Sequence, residues 1–325
     1  MERRLLGSTG ITVSRLILGC GNFGGIGSSP AFFGQGTSEP DAFALMDAAW
    51  EAGITTFDTA DAYGGGRSES FVGAWLATKG ADVRDNLVIT TKTYNPMFDG
   101  ADVGLCAARI RRQLDSSLTR LGVDRVALYL AHEFDPLVPL EETLAAFDDL
   151  IRSGKIGAVG ASNFSAEQLA AALDVSSGCG GLARYGWVQN SYSLLDRVDE
   201  GGVLPLCAAE GLGYTPFGPL AGGWLTGKYR RDTALPAGSR MTKRPEPYEA
   251  YRTDRVFSSL ETLQALAADT DCTMAGLSLA WALAQNGITA IVIGPNRVDQ
   301  LAPAREATDL VVSPDLLARL SEVFA

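Results

Sequence analysis

Short runs of consecutive apolar residues alternate along this chain with longer runs that are apolar at every third or fourth position. The first kind reads as strands covered on both faces, the second as amphipathic helices. The strand candidates, in order, are LILG (16–19), ITTFDT (54–59), LVITTK (87–92), VALYLAH (126–132), IGAVGAS (156–162), YGWVQNS (185–191), LGYTPFG (212–218) and TAIVIG (289–294). Ahead of them RRLL and VSRLILG flank the turn tetrapeptide GSTG, which predicts an N-terminal hairpin.

The helical runs carry recognisable stops and starts. DAFALMDAAWEAG ends at Gly53, ARIRRQLDSSLTRLG at Gly122, and LEETLAAFDDLIRSG, which starts behind Pro139, at Gly154. SAEQLAAAL opens on Ser165 with Gln168 three residues on, a capping-box spacing. DRVFSSLETLQALAAD and TMAGLSLAWALAQNG are both apolar at i, i+3, i+4 and i+7. Strands alternating with helices imply a parallel sheet with crossovers. An open doubly wound sheet and a closed barrel both fit that alternation. Eight units favour the barrel, for which about 250 residues is typical. The prediction is a (β/α)8 TIM barrel with an N-terminal β-hairpin and a C-terminal extra helix, SPDLLARLSEVFA (313–325). No linker splits the chain, so residues 1–325 are expected to form one domain. Two segments are too long for ordinary connections. GGIGSSPAFFGQGTSEP follows the first barrel strand, and a charged, proline-rich stretch from Gly227 to Asp254 follows the seventh. Both leave the C-terminal end of a strand, the face where such barrels place chemistry, and read as a substrate-side loop and a cofactor lid.

Composition narrows the function classes. A net charge of −11 makes nucleic acid and anionic membranes poor partners. The densest basic run, RIRRQ at 109–113, lies within a helical pattern and reads as a solvated face. Cys20, Cys106, Cys179, Cys207 and Cys272 are widely spaced and match no metal or redox pattern, which suits free thiols in the cytoplasm. The N-terminus has no apolar signal core, and no run approaches membrane-spanning length.

The candidate chemistry sits at strand ends. Asp58 closes an otherwise apolar strand, where a carboxylate needs a cation. Lys92 closes the next strand, and parallel neighbours bring the two ends together. Tyr63 follows in a glycine-rich loop. A free phenol, with a pKa of about 10, is a weak proton donor near neutrality, and a nearby ammonium lowers that value. His132, the sole histidine, ends the fourth barrel strand and can orient a substrate oxygen. No Ser–His–Asp pattern, HExxH or metal-spaced cluster is present, so no metal is expected. A proton donor alone does not reduce a carbonyl, so a hydride-carrying cofactor is needed. GCGNFGG matches G-x-G-x-x-G in letters, but no helix follows it and no acid closes a βαβ unit, so the match reads as accidental.

FDTADAYGGGRSE, TTK, YLAHEFD, VGASNFS, VQNSYS, PFGPLAGGWLTGKY and IGPNRVDQL, in this order, resemble the signature blocks of the aldo-keto reductase superfamily. The resemblance covers nearly the whole chain. It implies a catalytic tetrad of Asp58, Tyr63, Lys92 and His132, with Tyr63 the general acid. It implies that Ser162, Asn163 and Gln189 hold the nicotinamide carboxamide and that Phe217 stacks on the ring. Gly218, Pro219, Leu220 and Gly222 would follow the pyrophosphate, and Lys228 and Arg240 would belong to a loop closing over the cofactor. Gly294, Asn296, Arg297 and Gln300 would meet the adenosine phosphate. Lys228, Arg240 and Arg297 gathered on one ligand favour NADPH over NADH. The chain departs from the family at Pro303 and Ala304, where many members carry an acid and an amide for adenine. It departs also at Gly218, commonly serine, and at Leu130, usually polar.

The implied activity is reduction of small-molecule aldehydes or ketones, sugar carbonyls included. Phe32, Phe33, Tyr94, Phe134, Tyr192 and Trp224 are candidate pocket walls, which would suit apolar carbonyls. A second reading is a cofactor-sensing regulatory subunit of a larger assembly, since the family includes channel-accessory members. The presence of His132 speaks for catalysis.

Overall fold

A computed structural model describes residues 1–98, 100, 102–178 and 180–325. Cys179 lies outside the described residues; the other four cysteines are free thiols. The chain opens with an antiparallel pair, β1 (Arg3–Leu5) and β2 (Thr12–Ser14). The barrel strands follow: β3 (Leu16–Gly19), β4 (Thr56–Asp58), β5 (Val88–Thr93), β6 (Val126–Ala131), β7 (Ile156–Ser162), β8 (Trp187–Gln189), β9 (Gly213–Tyr214) and β10 (Ile291–Ile293). They form one parallel sheet in the order β10-β3-β4-β5-β6-β7-β8-β9. A parallel bridge between Phe217 and Val292 closes it, with the Val292 N–H donating to the Pro216 carbonyl at 2.8 Å. This is the predicted (β/α)8 barrel with its hairpin.

Two details depart from the sequence reading. VSRLILG is two elements, because Arg15 turns its side chain down to the carbonyls of Leu283, Ile288 and Thr289 and separates the hairpin arm from β3. LGYTPFG is regular over only two residues. Pro216 has no N–H for the ladder, so the strand continues as isolated bonds from Thr215 and Phe217 to β8 and the residue beyond it.

The alternation of strand side chains sets up the site. Ile17, Leu128, Leu130, Ala158, Trp187 and Val292 point into the barrel beside Leu6 and Val13 of the hairpin. Leu16, Leu18, Phe57, Tyr129, Val159 and Val188 point out, into the larger core under the helices. By the two-residue period the inward faces end at Asp58, Lys92, His132, Ser162 and Gln189. Gly160 lies below Ser162, and a Cβ there would meet the Trp187 indole at 2.6 Å, so glycine lets that ring fill the interior.

The helices with glycine stops stand where expected, for example Ala107–Leu121, capped by a left-handed Gly122, and Leu140–Arg152. The first helix starts earlier than expected, at Glu39, capped by Ser38. Three of the helices that carried no readable period are Arg67–Ala77, Val203–Glu210 and Ala302–Asp309. In the first, Ser68 and Glu69 occupy buried positions and break the apolar pattern. The basic run also departs from expectation. Arg111 and Arg112 are exposed, but Arg109 is 1% exposed, buried against Thr93 and the carbonyls of Asn95 and Gly104. The helix Pro314–Val323 packs outside the barrel, where the Ser259 hydroxyl donates to the Val323 carbonyl and Trp281 Nε1 to Ser321 Oγ. Among the described residues no helix is long and apolar enough to cross a membrane.

Candidate active site

The five inward strand ends meet at the C-terminal mouth of the barrel. Lys92 Nζ lies 2.6 Å from Asp58 Oδ2, 2.9 Å from the Thr59 carbonyl and 3.2 Å from Tyr63 Oη. Lysine and aspartate are both sealed from solvent, whereas Tyr63 reaches the cleft. Desolvation works against the Lys92 charge, but Asp58 and Tyr63 outweigh it and leave the ammonium above its usual value. For Tyr63, burial raises the phenol pKa more than Lys92 lowers it, and Asp58 opposes Lys92. The net shift is upward, against the expectation that the ammonium alone would decide it. A phenol above 10 stays protonated at neutral pH, the form a proton donor needs.

The His132 ring stands edge-on to Tyr63, centroids 5.5 Å apart. Burial and the Lys92 charge hold its pKa well below the usual histidine value, so it is neutral. Its Nδ1 lies 3.2 Å from Asn95 Nδ2. With the amide as donor, Nδ1 accepts and Nε2 carries the proton. Asn95 escaped the sequence reading, because a lone asparagine beyond a strand end has no pattern of its own.

The GCGNFGG run has a packing role. A Cβ on Gly25 would sit 2.6 Å from Gly64 Cα, so two glycine backbones pass in direct contact and press the strand-one loop onto the Tyr63 turn. That turn, Tyr63–Gly66, needs left-handed glycines at Gly64 and Gly65.

Ser162, Asn163, Gln189 and Phe217 line the same cleft, of about 470 Å³. Gln189 donates its amide to Asp58 Oδ1 at 3.0 Å, and Ser162 Oγ donates to the Gln189 carbonyl at 2.7 Å. Asn163, held at φ 58, donates to the His132 carbonyl and to Glu133 Oε1. Among the described residues the amide oxygens of Asn163 and Gln189 accept no hydrogen bond, which fits a ligand's carboxamide N–H groups. Beyond Phe217 the chain runs through Gly218, Pro219 and Leu220 into a turn at Ala221–Thr226. A methyl group added to Gly218, at φ +68, would meet Ser191 Oγ first, at 3.8 Å, and one added to Gly294 would meet Asn22 Nδ2, also at 3.8 Å. Both leave room for a ligand backbone, whereas the Tyr248 ring fills that space at Gly222.

Desolvation lowers the pKa of both Lys228 and Arg240; the Arg240 charge lowers Lys228 further, and the Arg244 charge lowers Arg240. Among the described residues neither has a carboxylate within 4.0 Å; Arg240 donates to Asn22 Oδ1 at 2.8 Å. Two unbalanced cations near a cleft fit an anionic ligand such as a phosphate. Arg297 is different. Its guanidinium makes a bidentate pair with Asp299, at 2.9 and 2.7 Å, in an exposed turn. Gln300 accepts from the Asn296 N–H at 2.7 Å. Of the two departures near adenine, Ala304 is buried in the core. Among the described residues no three His, Cys, Asp or Glu side chains gather as metal ligands.

None of the six aromatics expected as pocket walls is among the residues lining the cleft, where Phe217 stands instead. Tyr192 and Trp224 are wholly buried, Tyr192 stacked on Trp281, and Phe134 packs edge-on against Phe164. Beside Tyr63, His132 and Phe217 the cleft is lined by Gly27, Ser28, Ser29, Pro30, Asn95, Pro96, Glu133 and Arg244. Large aromatics at loop positions look alike in sequence whether they face a core or a pocket.

Fold and site define a (β/α)8-barrel enzyme working at its C-terminal mouth. The chain belongs to the aldo/keto reductase family, whose model matches residues 15–325. It is 38% identical to a Bacillus subtilis (strain 168) protein named "Uncharacterized oxidoreductase YrpG", over all of this chain and 96% of the relative. It is 31% identical to the L-glyceraldehyde 3-phosphate reductase of Escherichia coli (strain K12), over all of this chain and 93% of that enzyme. A probable voltage-gated potassium channel subunit beta of Oryza sativa subsp. japonica is 30% identical over 99% of this chain and 96% of its own. The protein is an oxidoreductase acting on carbonyl compounds.

Proposed function

We propose that the protein is a cytoplasmic, NADPH-preferring reductase of small aldehydes or ketones, with residues 1–325 acting as one unit and Tyr63 as general acid. The observation that carries this reading is the placement of one buried ammonium, Lys92, within hydrogen-bond reach of both the Asp58 carboxylate and the Tyr63 hydroxyl. Asp58 keeps Lys92 charged and in place. Lys92 takes part of the negative charge that Tyr63 acquires as it gives up its proton. His132 Nε2–H and the Tyr63 hydroxyl would both donate to the carbonyl oxygen, polarising it and orienting the substrate. Ser162, Asn163 and Gln189 would hold the carboxamide, Phe217 would stack on the ring, and the bound nicotinamide would supply the hydride. Lys228 and Arg240 would meet the phosphates. The phenol is held protonated at neutral pH, the form that donates to the carbonyl oxygen in reduction.

The test is turnover of NADPH, then NADH, with purified protein and a panel of aldehydes and ketones. Tyr63→Phe should lose about 10²–10⁴-fold in rate with cofactor affinity unchanged. A mutant that reduces carbonyls at the wild-type rate would refute the acid role. Arg297→Ala should weaken NADPH more than NADH, and equal weakening would remove the 2′-phosphate assignment. The channel-subunit relative supports a second reading, a cofactor-sensing accessory protein. Cofactor binding without turnover across the panel would favour it.

A further inference from the structure

We propose that Arg244, with the hydroxyls of Ser28 and Ser29, selects carbonyl substrates that carry a second, anionic group, a carboxylate or a phosphate monoester. The proposal rests on the reductase reading and names the substrate class of the same cleft.

Arg244, Ser28 and Ser29 line the one cleft that also holds Tyr63 and His132. Arg244 comes from just beyond the short helix Arg240–Lys243, and the two serines come from the loop after β3. Among the described residues Arg244 has no carboxylate within 4.0 Å. It donates one bond, from Nη1 to the Ile26 carbonyl at 3.3 Å, and lies over the Phe32 ring at 5.5 Å. A guanidinium has five N–H donors, so most of its fork remains for a ligand. Gly27 makes the approach possible, since a Cβ there would sit 3.1 Å from Arg244 Nη1. The Ser28 and Ser29 hydroxyls make no hydrogen bond among the described residues, and Ser29 does not cap the turn it precedes.

In a chain of net charge −11, a cation in a cleft without an acid partner is an attractive point for an anion. Carboxylate and phosphate both match the planar fork bidentately, and serine hydroxyls add donors to either. Glu133, next to His132 in the chain, also lines the cleft, and it accepts from Asn163 rather than pairing with Arg244. Burial pushes its carboxyl up to about 7. Above that pH its charge discourages an anion beside His132 and helps to orient the substrate, with the substrate's charge toward Arg244 and its carbonyl toward Tyr63.

The experiment compares wild type with Arg244→Gln on two matched pairs, glyceraldehyde 3-phosphate against glyceraldehyde and succinic semialdehyde against butanal. Wild type should prefer the charged member of at least one pair by about tenfold or more in kcat/KM. Arg244→Gln should raise KM for that member about 10- to 100-fold, the range expected for a lost charge-assisted hydrogen bond. Its kcat, its kinetics on the uncharged partner and its cofactor affinity should change little. Whichever pair shows the preference identifies phosphate or carboxylate. Two results overturn the proposal: no charge preference in wild type, or a variant that loses equally on both members while its cofactor affinity drops. The latter would make Arg244 a latch between the two loops. Calorimetric binding of glyceraldehyde 3-phosphate and succinate reads the anion site without turnover. If no carbonyl is reduced, the reductase reading fails by itself, and equal anion affinity in wild type and Arg244→Gln sinks the Arg244 assignment independently.

Discussion

The strand β5 separates two buried charge clusters built from the same ingredients. Inside the barrel, Lys92 joins Asp58 and Tyr63. Outside it, under the helices, Thr93 Oγ1 accepts from Arg109 and donates to Asp61, with Tyr129 and the Glu69–Arg120 pair close by. Each cluster has an acid, a base and a phenol. They differ in access. Tyr63 opens on a cleft, whereas Tyr129, Asp61 and Arg109 are sealed. A perturbed group becomes chemistry only where a reactant can reach it; sealed, the same arrangement braces the wall. The two clusters touch at one point, since Arg109 Nη2 donates to the carbonyl of Asn95, whose side chain meets His132.

The contrast breaks most visibly in a double substitution, Asp58→Asn with Lys92→Met. Turnover should fall about 10²–10⁴-fold, while unfolding in urea shifts little, because replacing a whole buried pair is often neutral. A large loss of stability would mean that the inner pair is structural as well. Next in size, Arg109→Met leaves buried Asp61 and Glu69 with less positive charge. It should cost about 3–5 kcal/mol in urea unfolding, with turnover of the folded fraction reduced only severalfold through Asn95. If activity vanished with stability intact, the outer cluster would belong to the catalytic machinery.

A pH series sharpens the difference. Burial and the neighbouring Glu69 raise the Asp61 carboxyl from 3.8 to about 7. Between those values the folded protein holds a proton that the unfolded chain has released. Stability from this group is therefore full below about pH 4 and declines as pH rises to about 7, by up to ~4 kcal/mol. Asp61→Asn should flatten that decline in unfolding curves at pH 5 and pH 8; an unchanged slope would clear Asp61 of the effect. The smallest effect is a negative one. His132 is neutral well below its usual titration range, so kcat should show no inflection near pH 6.5. An inflection there that disappears in His132→Gln would mean that the imidazole is charged in the working enzyme.

The barrel strands were readable because being covered on both faces leaves continuous apolar runs, and the polar residue ending each run marked the mouth. Asp58, Lys92 and His132 showed in this way, Ser162 and Gln189 through the family blocks, and the structure brings the five together. The helix Arg67–Ala77 did not show, because Ser68 and Glu69 are buried by partners distant in sequence: Ser68 meets the Cys20 carbonyl, and Glu69 meets Thr91 and Arg120. Arg109 looked solvated for the same reason.

The sequence by itself determined the strand–helix alternation and, through the polar residues that close apolar runs and the ordered family blocks, the residues at the barrel mouth, because these are features of neighbouring positions along the chain. Tertiary structure alone decided which charges are sealed and which are open, that Tyr192 and Trp224 belong to the core, that Asn95 sets the His132 tautomer and that Arg297 turns to Asp299. It also brought Arg244 to the cleft through a contact with the loop after β3 that spans 218 positions. Periodicity is a local property and survives in the sequence. Access, pairing and pKa depend on what the rest of the chain packs against a group.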